Sequence, residues 1–131
     1  MVPALLSGVS VVPVTQTLFG RDGNCYAACL SSILEIPIER GTGTHGGHLD
    51  AVNRFLATRN LAIVRVPYRA EAWEKMNRGA WCVLAGRSPR GDFLHAVVGR
   101  DGRIVFDPHP SRSGIATLAS VDLFVARPRF P

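Results

Sequence analysis

The chain passes from a polar loop into an apolar helix at residues 23–30, which read Gly-Asn-Cys-Tyr-Ala-Ala-Cys-Leu. Apolar and small residues continue to about Ile36, and Pro37 then marks the end of the helical pattern. Asn24 belongs to the residue types that cap helix N-termini. The pattern therefore predicts a buried helix that has Cys25 in its first turn.

The segments after this helix predict two more helices and a set of strands. We expect helices at residues 48–60 and 70–77, the first of them preceded by a glycine-rich stretch at 41–47. The predicted strands are residues 61–66, 81–85, 93–99, 103–107 and 121–126, and a β-prone segment at 11–17 precedes the first helix. This order predicts an α+β fold with an antiparallel sheet, formed as one domain over residues 1–131.

The bulk composition narrows the class of protein. With 47% hydrophobic and 19% charged residues, it is typical of a globular domain. The formal net charge of +5 comes from scattered arginines without a basic run, so we expect no nucleic-acid partner. Pro3 and Pro13 interrupt the N-terminal apolar stretch, and no run is long enough for a bilayer, so we expect neither a secretory signal nor a membrane partner. Three cysteines without an export signal then predict a reduced, cytoplasmic setting.

Two downstream segments predict the arms of one β-hairpin. The first arm, residues 93–99, contains His95, and the second arm, residues 103–107, ends at Asp107. A thiol at a helix start, facing an imidazole that a carboxylate orients, is the arrangement used in thiol acyl transfer. We therefore predict that Cys25 is the nucleophile, that His95 moves the proton and that Asp107 orients the imidazole.

The length of the hairpin loop determines whether His95 and Asp107 share a face of the sheet. A two-residue turn would pair Arg100 with Arg103 and direct the two side chains to opposite faces. A three-residue loop, residues 100–102, would set them directly opposite each other. We expect the three-residue loop, because it also keeps the two arginines from facing each other beside the turn.

Gln16 is a further candidate for the same site. It lies nine residues before Cys25, on the segment that enters the loop in front of the helix. A side-chain amide there, together with the backbone N–H of Cys25, can stabilise an oxyanion. The alternative interpretation is an ordinary polar residue at a strand end.

The cysteines and histidines also allow a metal-site interpretation. Its four candidate zinc ligands are Cys25, Cys29, His45 and His48. Their spacings lie at or beyond the edge of the familiar zinc-finger patterns, and a domain of this size folds without zinc. We therefore expect no metal and no other cofactor, and we expect Cys29 and Cys82 to be core residues.

Taken in chain order, these residues resemble the papain-like cysteine peptidase superfamily. They are most similar to small stand-alone bacterial and phage relatives of the double-glycine leader peptidases, which process bacteriocins. Such proteins have an oxyanion-hole Gln, a Cys that opens a central helix, and a His and an Asp or Asn on adjacent strands. The resemblance implies a papain-like minimal core, in which the N-terminal helix packs on an antiparallel sheet. The residues that would take these roles are Gln16, Cys25, His95 and Asp107.

The resemblance implies a thiol hydrolase of the cysteine peptidase or amidase type, which cleaves a peptide or another amide-bearing substrate through an acyl-enzyme. A catalytically silent papain-like fold that serves as a binding module is the alternative, with the zinc-binding domain as a third interpretation. The silent module predicts that the pair of His95 and Asp107 is turned away from Cys25, or that Cys25 is closed off from solvent. No particular oligomeric state is predicted.

Overall fold

The computed structural model describes residues 12–37, 47–76 and 79–126. The helices of these ranges are α1 (Cys25–Leu34), α2 (Leu49–Ala57) and α3 (Ala70–Met76), and a short 3-10 helix spans Gly20–Asp22. The strands are β1 (Leu61–Pro67), β2 (Cys82–Arg87), β3 (Leu94–Arg100), β4 (Arg103–Phe106) and β5 (Thr117–Ala126). The expected α+β class is confirmed, and each helix and strand predicted downstream of residue 24 is present at close to its expected position.

The strands form one five-stranded antiparallel sheet in the order β1-β5-β2-β3-β4. The last described strand, β5, lies between β1 and β2 and pairs with both of them. Strands β2, β3 and β4 follow one another as sequential neighbours, as the sequence pattern predicts. The sheet is therefore a three-strand meander extended by a crossover to β5 and β1.

Helix α1 is almost completely enclosed, because its residues are apolar or small on every side. Residues 26–34 are all buried. The helix ends at Glu35, whose left-handed backbone conformation (φ 56°) lets its N–H donate to the carbonyl of Ser31. An enclosed helix has a fixed axis, so its first residue, Cys25, is held in a fixed position against the sheet.

The core is divided between the two faces of the sheet. On one face, α1 and α2 pack through residues such as Leu30, Ile33 and Val52. On the other face, a smaller cluster forms around Trp73 of α3 and includes Cys82. Cys29 and Cys82 are both fully buried, so the expectation that these two cysteines are core residues is confirmed. The layers are thus α1 and α2, then the sheet, then α3.

The turn of the hairpin differs from the expectation. Arg100 pairs with Arg103, which leaves Asp101 and Gly102 as a two-residue turn with φ of 52° and 76°, so the expected three-residue loop is wrong. Two positive φ values give a type I′ turn, for which Asp-Gly is a preferred sequence. The two arginines can lie opposite each other because the Arg100 guanidinium interacts with other groups: it lies 5.0 Å from the ring centre of Trp81 and 3.6 Å from the Asp101 carboxylate.

A β-bulge next to this turn brings His95 and Asp107 to the same face of the sheet, which the two-residue turn by itself would not do. Gly99 lies opposite Ile104, but Val98 lies opposite Phe106, so Val105 is an extra residue on β4. One extra residue reverses the alternation of side chains beyond it. The residue that follows Phe106 is therefore on the same face as His95, although the two are not direct cross-strand partners.

The β-prone segment before α1 forms no strand. Residue 11 lies outside the described residues, and residues 12–17 belong to no helix or strand; their backbone groups bond to a helix and a loop rather than to a neighbouring strand. The N–H of Val14 donates to Ser32 Oγ at 2.9 Å, and the N–H of Gln16 donates to the carbonyl of Pro108 at 3.0 Å. These bonds join the segment to α1 and to the end of the hairpin.

Candidate active site

Three elements bring Cys25, His95 and Asp107 together. Cys25 is the first residue of α1, His95 is the second residue of β3, and Asp107 directly follows β4. The Nε2 atom of His95 lies 2.7 Å from Oδ1 of Asp107, and both side chains are buried. The thiol of Cys25 lies close enough to the imidazole to raise its pKa. Since Nε2 is bonded to Asp107, Nδ1 is the ring nitrogen left for proton exchange with Cys25.

The ionisation of His95 follows from these neighbours. Burial by itself lowers the pKa of His95, but hydrogen bonding to Asp107 and Cys25 and the charges of both outweigh it and raise the pKa to about 9. The ring is therefore an imidazolium at neutral pH. The raised pKa is due to Asp107 and Cys25, because a buried histidine without such partners would titrate below its ordinary range.

Asp107 is held as a carboxylate by three donors. Burial favours its neutral form, but the pKa of Asp107 is lowered by hydrogen bonds from His95 and from the backbone N–H groups of His109 and Gly114. The two backbone bonds measure 2.9 and 2.7 Å. The carboxylate therefore has a fixed orientation, and its remaining lone pairs accept from the loop that follows it.

Arg112 stabilises this loop and was not identified from the sequence. Its guanidinium donates to the carbonyls of Asp107 and His109 and lies 4.7 Å from the ring centre of Phe106. Arg112 itself has a left-handed backbone (φ 53°), which turns the chain back toward the site. The signal that could have found it is the turn-forming sequence 107–114, rich in proline, serine and glycine.

Gln16 is buried beside the hairpin end, in the loop that leads to Cys25. Its Nε2 donates to the carbonyl of Leu18 at 2.8 Å, and its Oε1 is buried without a hydrogen-bond partner in the described part of the chain. Each amide nitrogen carries two hydrogens, so one N–H of Gln16 is not used by Leu18. The role of Gln16 as an oxyanion donor stays a prediction.

Asn24 occupies the predicted cap position but uses its side chain differently. It precedes α1 as the N-cap residue without a side-chain bond to the helix. Its Oδ1 instead accepts from the backbone N–H groups of Thr17 and Leu18, both at 2.9 Å. Asn24 therefore closes the loop over residues 17–24 and stabilises its conformation in front of Cys25.

The three cysteines differ in access to solvent. Cys25 is half-buried, whereas Cys29 and Cys82 are fully buried. Burial, together with the charges of Cys25 and Asp107, raises the pKa of Cys29 well above its ordinary value, so this thiol is inert at neutral pH. Cys25 is thus the thiol that a substrate can reach.

A network of three side chains lies beside Cys25 and was also missed. The hydroxyl of Tyr26 donates to Asp122 Oδ2 at 2.5 Å, and Arg65 donates to both oxygens of the same carboxylate at 2.7 and 2.8 Å. Asp122 has no exposed side-chain surface. A charged residue within the apolar sequence of β5 was the signal that could have found this network.

His109 forms the outer side of the site. Its ring lies edge-on to His95, with centroids 6.2 Å apart, and edge-on to Phe19 at 5.3 Å. Partial burial and the charge of Arg90 lower the pKa of His109. A neutral ring next to the imidazolium of His95 avoids repulsion between two like charges.

The zinc interpretation receives no support from the described residues. Within residues 12–37, 47–76 and 79–126, no group of three or more His, Cys, Asp or Glu side chains could hold a metal ion. One of the four candidate ligands, His45, lies outside the described residues. Cys29 is enclosed in the core, where Leu30 and Ile33 also pack.

Comparisons with protein-family models, with curated proteins and with solved structures found no significant match to this chain. Among the helices of the described ranges, none has the length and apolar character needed to cross a membrane.

Proposed function

We propose that this protein is a papain-like thiol hydrolase, a cysteine peptidase or amidase, with Cys25 as nucleophile. The observation that supports it most directly is the bond of 2.7 Å between His95 Nε2 and Asp107 Oδ1, with the other side of the same ring near Cys25. Nucleophile, base and orienting group are then in the order that acyl transfer requires.

In the proposed catalytic pair, the positive charge lies on His95. The pKa of His95, about 9, keeps the ring protonated at neutral pH. An imidazolium beside a thiol favours the thiolate, which is the nucleophilic form. The first turn of a helix adds a partial positive charge at Cys25.

The reaction begins when the thiolate of Cys25 attacks the carbonyl carbon of an amide. A C–S bond forms, and one electron pair of the C=O bond moves to oxygen, where the unused amide hydrogen of Gln16 is the candidate donor. As the oxyanion collapses, the C–N bond breaks and the leaving nitrogen takes the proton from His95. Water then attacks the thioester, transfers a proton to His95 and releases the acid as the C–S bond breaks.

The fold supports the family assignment in general terms. A helix that begins with Cys25 lies on an antiparallel sheet, and His95 and Asp107 are on adjacent strands or at their ends. This chain order is what we expect of small bacterial or phage papain-like proteins. Since a catalytic thiol has to stay reduced, we place the protein in the cytoplasm.

The silent binding module is less compatible with the site. It requires a thiol closed off from solvent, or a histidine pair turned away from that thiol. Cys25 is half-buried rather than enclosed, and its proximity raises the pKa of His95. Both features favour the hydrolase.

The test is the alkylation rate of each cysteine by iodoacetamide between pH 5 and 10, followed by peptide mass spectrometry. Since Cys29 and Cys82 are buried, the reference thiol is free glutathione: we expect Cys25 to react faster than glutathione at neutral pH, and we expect His95→Ala to remove this advantage. His109→Ala is the matched control, because it removes a neighbouring imidazole while the backbone N–H that bonds Asp107 remains. A rate of Cys25 alkylation that is no faster than that of glutathione, and that His95→Ala leaves unchanged, would overturn the proposal.

A second readout tests hydrolysis itself. The protein is incubated with a library of peptides from a digested proteome, and new termini are identified by mass spectrometry. We expect cleavages that are absent with Cys25→Ala.

A further inference from the structure

A narrow cleft of about 90 Å³ begins beside Cys25 and crosses the sheet toward β1. Small side chains line it, contributed by three neighbouring strands: Ala85, Ala96, Ala119 and Ser120. Ala85 is the direct cross-strand partner of both Ala96 and Ser120, so these three form a row across β3, β2 and β5. The cleft therefore has room for one small side chain.

Arg65 lines the same cleft from β1. It lies directly opposite Asp122 in the sheet, and its Nε and Nη2 atoms bond to the two oxygens of that carboxylate. Tyr26 donates a third bond to Asp122. Burial and the charge of Asp122 raise the pKa of Tyr26 well above its ordinary value, so its hydroxyl stays neutral. The positive charge of Arg65 is thus balanced by one negative charge.

The guanidinium of Arg65 retains a second edge with hydrogen-bond donors. An arginine has five N–H groups in a planar fork, and Asp122 occupies only the edge formed by Nε and Nη2. The N–H groups of Nη1 are not used by Asp122, whose bonds come from Nε and Nη2, and Tyr26 is the other polar neighbour of the guanidinium. Since 29% of the Arg65 side chain is exposed and the residue lines the cleft, these donors are accessible to a ligand.

We propose that this cleft is the substrate subsite beside Cys25, and that Arg65 selects a small, uncharged side chain with an oxygen acceptor, such as serine or asparagine. The inference rests on the proposed thiol hydrolase and specifies its substrate. Small size follows from the volume of the cleft, about 90 Å³. A neutral acceptor follows from Asp122, because a second carboxylate would leave a net negative charge beside a carboxylate that has no contact with water.

The probes for this test are peptidyl vinyl sulfones that differ only in the side chain next to the reactive group: alanine, serine, asparagine, aspartate or leucine. The thiolate of Cys25 adds to the alkene carbon that is attached to the last residue of the peptide, and the electron pair of the C=C bond takes a proton from His95 at the carbon next to the sulfone. The second-order rate of adduct formation is measured by intact mass. Each rate is divided by the iodoacetamide rate of the same variant, which measures the reactivity of Cys25 itself.

We expect the serine and asparagine probes to react about tenfold faster than the alanine probe, which is what one hydrogen bond to a charged donor supplies. The leucine and aspartate probes are expected to react more slowly than both. Arg65→Lys keeps a positive charge beside Asp122 but lacks the second edge of the guanidinium. The ratio of the serine-probe rate to the alanine-probe rate should therefore fall close to one.

Ala119→Leu tests the cleft independently of the ion pair. Ala119 is exposed, so a larger side chain there fills the cleft without entering the core, and we expect the asparagine probe to slow about tenfold. Thr117→Leu is the matched control on the same strand, because Thr117 is exposed and lies outside the cleft. Its normalised rates should equal those of the natural protein.

The possible outcomes separate the two proposals. Equal normalised rates for all probes, or no effect of Ala119→Leu, would overturn the subsite while a His95-dependent iodoacetamide reaction would still support the hydrolase. If the aspartate probe reacted fastest, the inference that the cleft takes an uncharged side chain would be overturned. No reaction of Cys25 with any reagent would overturn both the subsite and the hydrolase.

Discussion

His95 and Asp107 are joined by a bond of 2.7 Å, although the two-residue turn between their strands would by itself set them on opposite faces. The bulge at Val105 compensates for the turn, because it adds one residue to β4 before Asp107. The shared face therefore depends on Val105 staying outside the regular pairing of the two strands. Bulges are common beside active sites, where they change the direction of a side chain.

Insertion of one alanine between Phe106 and Asp107 should separate the pair. The inserted residue follows Phe106, which lies opposite Val98, so Asp107 moves one position along and points to the other face of the sheet from His95. We expect the pKa of His95, about 9 in the natural protein, to fall, because the hydrogen bond and the charge of Asp107 are lost while burial remains. An NMR titration of the histidine Cε1–H signal measures this change. Deletion of Val105 is the matched control, because it also changes the chain length but leaves Phe106 opposite Val98 and Asp107 on the face of His95, so the pKa should stay unchanged; an equal shift in both variants would contradict the role of the register.

Asp107→Asn tests the charge of the carboxylate without removing its shape. The asparagine has a similar shape, but its single oxygen can replace only one of the two that accept the backbone N–H groups of His109 and Gly114, and it cannot stabilise an imidazolium by its charge. We expect the pKa of His95 to fall by about one unit or more. The alkylation of Cys25 at neutral pH should slow in parallel. An unchanged histidine titration would show that Asp107 does not control the ring.

The stability of the protein in acid should also depend on Asp107. Its pKa is lowered in the folded state, so its carboxylate contributes stability that is fully present above the unfolded pKa of about 3.9 and is lost as the pH falls through the lower folded value. His95 is protonated in both states over this range and adds no slope. We expect Asp107→Asn to make urea stability depend less steeply on pH below about 4. Parallel profiles for the two proteins would argue against a stabilised carboxylate.

Tyr26→Phe should destabilise the fold through Asp122. The substitution removes one of three hydrogen bonds to a carboxylate that has no exposed surface. A hydrogen bond to a charged group contributes about 2 kcal/mol, and urea denaturation should reveal a loss of that size. Tyr68→Phe is the control, because no hydrogen bond of its hydroxyl is present within the described chain, and its effect should stay within about 0.5 kcal/mol. Equal losses for the two variants would show that Asp122 does not depend on Tyr26.

Much of this arrangement follows from local sequence patterns. The apolar run after Cys25 predicts an enclosed helix, and the positions of the strands follow from β-prone runs bounded by turn residues. Cys25, His95 and Asp107 are recognised by residue type, order and the elements that contain them. These features are determined by residues close in the chain, so the sequence alone is sufficient to predict them.

The register of the hairpin depends on contacts that the sequence does not display. Asp101-Gly102 is a strong signal for a two-residue turn, but repulsion between Arg100 and Arg103 argued against it. Stacking of Arg100 on Trp81 removes that objection, and this contact joins residues that are distant in the chain. No residue pattern marks the bulge at Val105. The ion pair of Arg65 and Asp122 was missed for the same reason, since it requires knowing that β5 inserts beside β1.

The insertion of β5 into the middle of the sheet also has a consequence for biosynthesis. While a ribosome is still making the chain, β1 and β2 emerge first and have no common neighbour until residues 117–126 follow. Asp122, which neutralises Arg65, and Ala119, which lines the cleft, both arrive with that late strand. A nascent polypeptide therefore contains Cys25 before the cleft beside it is assembled, and under the proposed function substrate recognition would begin only after translation has passed this strand.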